Sequence, residues 1–84
     1  MSYVPSYIIK RELYIKGSGT VVETLTTDNT YVIATNNALM FNNVREAKTY
    51  YNTFLGNSKG LHFIVGNKGG MYYAKNGKRL NGVN

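Results

Sequence analysis

The chain has 84 residues, no cysteine and a formal charge of +6. That length gives one domain near the lower limit for a self-sufficient core, with little room for a deep catalytic cavity. Without cysteine there is neither a disulfide staple nor a thiolate zinc site, and eleven aromatic residues, eight of them Tyr, exclude a disordered polar chain.

The charge is one-sided. Residues 1 to 46 balance four cations (Lys10, Arg11, Lys16, Arg45) against all four acids (Glu12, Glu23, Asp28, Glu46). Residues 47 to 84 carry Lys48, Lys59, Lys68, Lys75, Lys78 and Arg79 with no acid, a field that favours anionic partners. Lys10, Arg11 and Glu12 interrupt the apolar character of the N-terminal stretch, and no run of about 18 apolar residues occurs. The expectation is a soluble, cytoplasmic protein that does not engage a membrane.

In chain order, "YIIKRELYI" (7 to 15) predicts a first strand, which "KGSG" ends. Residues 20 to 26 and 30 to 35 predict a hairpin around Asp28-Asn29, with Tyr31, Ile33 and Thr35 on one face of the third strand and Val32 and Ala34 on the other. A helix follows. Asn43 is its N-cap and Glu46 stands three residues on, placed to reach back to the cap amide. Val44, Ala47, Tyr51, Phe54 and Leu55 form one stripe at helical period, and Gly56 suits a left-handed C-terminal residue.

"LHFIV" (61 to 65) predicts a central strand, "MYYAK" (71 to 75) another, and Asn76-Gly77 a type I′ turn returning "KRLNGV" alongside it. The order βββαββ defines an α+β fold: a single antiparallel sheet of about five or six strands with one amphipathic helix on one face. One helix cannot cover both faces or bury eight tyrosines, so the other face stays open or meets a partner.

The stretches "YIIKRELYI" and "TYVIATNNALMFNNVREAKTYYN" resemble a pattern in small proteins of bacteriophages and prophages of Gram-positive hosts. The matching positions are Tyr7 to Lys10, Thr35-Asn36, Phe41 and Glu46-Ala47, within residues 7 to 55. The resemblance implies a cytoplasmic, non-enzymatic protein acting inside the host bacterium. It would inhibit or modulate a host or anti-phage defence protein, in an anti-CRISPR-like or other anti-defence role.

Catalytic candidates are few. His62 is the lone histidine, falls on the Ile64 face of its strand and has no acid at motif spacing, so it reads as a partly buried histidine satisfied by a neighbour. No G-x-S-x-G elbow occurs, and "VGNKGGMYY" lacks both phosphate-loop spacing and a following helix. No enzyme activity, cofactor or metal is expected. The candidate partner-binding residues are Tyr72, Tyr73, Lys75, Lys78, Arg79, Lys68 and Lys59. They combine aromatic surface with cations for a host or defence protein or, alternatively, for nucleic acid bound along the C-terminal hairpin. Pairing of an exposed edge strand with a second copy would give a homodimer.

Overall fold

The computed structural model describes residues 4 to 80. Strands β1 (Tyr7–Ile15), β2 (Gly19–Leu25) and β3 (Tyr31–Val32) precede the helix, and β4 (Leu61–Gly66) and β5 (Met71–Tyr73) follow it. They form one antiparallel sheet in the order β3-β2-β1-β4-β5. The fold is therefore α+β with the order βββαββ, and β1 lies at the centre.

The register divides the chemistry between two faces. Lys10 pairs with Thr24 and Phe63, and Ile9 with Ile64, so odd residues of β1 and even residues of β4 point together. On that side Ile9, Leu25 and Ile64 are fully buried against Ala47, Leu55 and Ala74. Burying each of the three large side chains contributes roughly 1.5–3 kcal/mol. Tyr7, Tyr31, Tyr50, Tyr51 and Tyr72 pack around this cluster, so rings supply much of what a short chain lacks in aliphatic volume.

The third strand is shorter than its pattern implies. It ends at Val32, and Ile33 is 70% exposed. Residues 37 to 41 enter the gap where β1 and β2 splay, bridging Thr26 to Ala38 and Tyr7 to Phe41. Leu39 N donates to Leu25 O, while Tyr7 and Phe41 exchange both main-chain bonds. The chain must leave β3 early to make these contacts, a tertiary demand that overrides β-propensity at Ile33.

Helix α1 (Val44–Tyr50) continues without a break into a π-helical turn, Tyr51–Leu55, giving one 12-residue helix. Asn43 caps it through Oδ1, which accepts from Glu46 N at 2.8 Å, and Glu46 Oε1 accepts from Asn42 N at 3.1 Å. The return bond thus reaches one residue before the cap. The π turn also corrects the expected apolar stripe. Its hydrogen bonds span five residues instead of four, so the side chains rotate relative to an α-helix. Leu55 stays in the core, but Phe54 is turned out to 66% exposure.

Two turns differ from expectation. Gly56 has φ −60, and the first left-handed residue after the helix is Gly60 at φ +102, where a Cβ would meet Glu12 O at 2.9 Å. In the last hairpin only Gly77 has positive φ, at +74, so the turn is not type I′. A four-residue loop, 74 to 77, is closed instead by Gly77 N donating to Tyr73 O at 2.7 Å. Asn76 contributes with its side chain, Oδ1 accepting from Lys78 N. The returning limb is a single bridge from Arg79 to Tyr72, and its residues 81 to 83 lie outside the described residues.

Candidate functional site

The face opposite the helix is open. It carries Ile8, Lys10, Glu12 and Tyr14 from β1, Val22 and Thr24 from β2, Leu61, Phe63 and Val65 from β4, and Met71 and Tyr73 from β5. The helix meets β1 and β4 only through the core cluster on the other side. Tyr14, Leu61, Val22 and Tyr73 are 76%, 50%, 39% and 39% exposed. Phe63 is mostly buried here, lying between its register partners Lys10 and Tyr73. Exposed Glu12 stands between Val22 and Leu61, and Lys10 between Thr24 and Phe63, so the face sets large exposed apolar side chains around two charged residues of the central strand.

The seven candidate partner-binding residues do not gather into one patch. Tyr72 turns toward the helix side, half-buried, with its ring edge-on to Tyr7 at 6.3 Å. Tyr73 lies on the open face opposite Phe63. Lys59 and Lys75 sit at the Leu61 end of β4, whereas Lys68 sits in the turn beyond Gly66, about 17 Å away along the strand. Arg79 bridges Tyr72 and so shares its side of the sheet. Lys75 and Lys78 flank the last turn, against which the helix brings Lys48: a Cβ at Gly77 would lie 3.4 Å from Lys48 Cδ.

On the helix side, β1, β3 and β4 build a polar junction. Arg11 falls on the inward face, where an unpaired cation would be costly, and it is held three ways. Its Nε donates to Glu23 Oε1 at 2.8 Å, its NH1 donates to Ser58 Oγ at 3.3 Å, and its guanidinium lies 3.7 Å from the Tyr31 ring centroid. Ser58 Oγ donates to Tyr31 OH, which bonds His62 Nε2 at 3.0 Å. His62 Nδ1 bonds the Gly60 carbonyl at 3.1 Å, so Nδ1 carries the proton and Nε2 accepts.

His62 is 4% exposed and, as its strand register implies, on the Ile64 side. Burial pushes its pKa below the ordinary 6.5; the Gly60 bond opposes this and the Arg11 charge adds to it. A Ser–Tyr–His chain of hydrogen bonds has the form of a proton relay, but both ring nitrogens are already engaged inside the fold. Among the described residues no buried side-chain polar atom lacks a partner, and no cluster of His, Asp and Glu has metal-site geometry.

The rings at the surface of the helix were hidden from periodicity. Phe41, Tyr50 and Phe54 line an open groove of about 580 Å³ with Arg45, Thr49 and Thr53. The available signal was the Tyr50–Phe54 spacing of four, which defines a second stripe beside the core one.

The chain matches no family model, no curated protein and no solved structure. Residue roles therefore rest on the geometry alone. No helix among the described residues is long and apolar enough to cross a membrane.

Proposed function

We propose that this chain is a non-enzymatic binding protein that docks a protein partner on the open face of its sheet. One observation carries the reading: a sheet face with Tyr14, Leu61 and Tyr73 exposed, on the side away from the helix. Exposed aromatic and aliphatic side chains supply the anchors of a binding surface, and Lys10 and Glu12 between them supply charges that fix a partner's register. Lys10 on the face and Lys59 and Lys75 at one end favour an acidic rim on the partner. The non-enzymatic reading is supported by the engagement of His62, the one histidine, with Tyr31 and Gly60, and of Glu23 and Glu46 with Arg11 and the helix cap. The resemblance to small phage proteins directs the search to host and defence proteins of bacteria, which this chain would inhibit or modulate.

The test is a tagged pull-down from bacterial lysate treated with nuclease, comparing the wild type with Leu61→Asp and Tyr73→Ala. The expected result is one protein retained at stoichiometric yield and lost with either variant while far-UV circular dichroism is unchanged. Retention through both substitutions, or recovery of nucleic acid alone, would refute the sheet-face reading.

A further inference from the structure

The β1–β2 hairpin outruns the rest of the sheet. β4 starts opposite Glu12, so Leu13, Tyr14 and Ile15 have no strand partner on that side, and β3 pairs with Thr24 and Leu25 alone. From Leu13 to Val21 the arm is therefore a two-stranded ribbon, a form that is marginally stable by itself in water. Tyr14, Ile15 and Val22 are exposed along it.

The outer edge of β2 beyond β3 is open, and the direction of its main chain follows from its neighbours. Thr26 N donates to Thr30 O on the β3 side, whereas Leu25 O accepts from Leu39 N on the β1 side. The β1–β2 register then runs unbroken from Thr24 to Gly19. Main-chain direction alternates along a strand, so Thr20 and Val22 aim N–H and C=O away from β1, where no described residue bonds them. Natural edges are commonly guarded by Lys or Pro, and Gly19 to Val22 carries neither.

This edge is complementary to itself. In a two-fold antiparallel pairing centred on Val21, Thr20 of each copy meets Val22 of the other, and every outward N–H and C=O of both residues finds a partner. Centring on Val22 would require Thr24, which β3 occupies, and centring on Thr20 would require Ser18, whose N–H already bonds Ile15 O. The Val21 register also sets Glu23 opposite Gly19, where a Cβ would meet nothing within 4 Å, so no like charges face each other. The β-branched Thr20, Val21 and Val22 form the cross-strand pairs.

We infer that two copies of this chain pair antiparallel through β2, joining their sheets into one with both open faces on the same side. The edge is short, so the dimer depends on concentration.

The experiment is sedimentation velocity of the purified chain from about 10 μM to 1 mM, with no other partner present, so its outcome is separate from that of the open-face reading. The apparent mass should rise from monomer towards dimer. Val22→Pro should abolish the rise with far-UV circular dichroism unchanged, because its N–H points outward and serves no bond within the monomer. Val21→Cys gives the chain a lone cysteine whose two copies lie about 4.5 Å apart at Cα, within disulfide range, and mild oxidation should crosslink it. Thr20→Cys places the two copies on a diagonal of about 7–8 Å and should crosslink far less. A monomer at every concentration, a dimer that survives Val22→Pro, or Thr20→Cys crosslinking as readily as Val21→Cys would overturn the proposal. Should the proline variant lose its fold, the two cysteine variants decide.

Discussion

At the residue scale the His62 junction sets the molecule's response to acid. The folded state lowers the His62 pKa below the 6.5 of the unfolded chain, mainly through burial. The unfolded chain therefore binds a proton that the folded one resists, and stability rises with pH where the two differ. Going down in pH, stability is lost from about 6.5 until the folded imidazole itself titrates, after which the loss is complete. The groups facing the ring are Tyr31, Tyr51 and Arg11. Urea midpoints measured between about pH 7.5 and 5 should fall for the wild type and fall less for His62→Gln. Equal slopes would assign the acid sensitivity to other groups. Neither the inward side of Arg11 nor its partners were legible in the sequence: adjacent Ile8 and Ile9 leave the buried parity of β1 open, and Glu23, Tyr31 and Ser58 come from three other segments.

At the scale of the element the helix is the informative case. Its start was legible, since an Asn cap and a Glu three residues later satisfy orphan amides locally. Its last turn was not. A stripe at a period of 3.6 assigns Phe54 and Leu55 to the same face, and only packing against the sheet selects the wider π turn that keeps Leu55 and releases Phe54. The consequence is a contrast in stability. Leu55→Ala should cost about 2–5 kcal/mol in urea unfolding, as a truncated core side chain does. Phe54→Ala should cost about 1 kcal/mol or less, from its contact with the Tyr50 ring. The reverse order would place Phe54 in the core after all. The last hairpin makes the same point: Asn76-Gly77 was correctly a turn, yet loop length and the bond from Gly77 N to Tyr73 O decide its type.

At the scale of the whole molecule, charge and topology act together. The second half of the chain carries six cations and no acid; they are spread over both faces and both ends of the sheet, and Lys48, Lys75 and Lys78 meet at the Gly77 turn, giving the molecule a one-signed field. Self-repulsion within it opposes folding and is screened by salt within about 10 Å at 0.1 M. Raising NaCl from about 20 to 200 mM should therefore raise the urea midpoint at neutral pH. A fall would mean that screening of the Arg11–Glu23 pair outweighs relief of repulsion. Pairing with a second copy by sheet extension has little edge to use at the two outermost strands: β3 has two residues, and the outer main chain of β5 already bonds Lys78 and Leu80.

The sequence by itself determined the order of elements, the boundaries of β1, the helix cap, the inward side of His62 and the surplus of cations after Glu46. These follow from local rules: side-chain alternation, cap chemistry, turn residues and counted charge. Tertiary structure alone decided the early end of β3, the turn at Leu55, the exposure of Phe54 and the separation of the seven candidate residues over two faces and both ends of the sheet. The physical reason is the same in each instance. Strand order, and the packing of one helix on one face, determine which distant segments compete for the same space. No residue's own propensity carries that information.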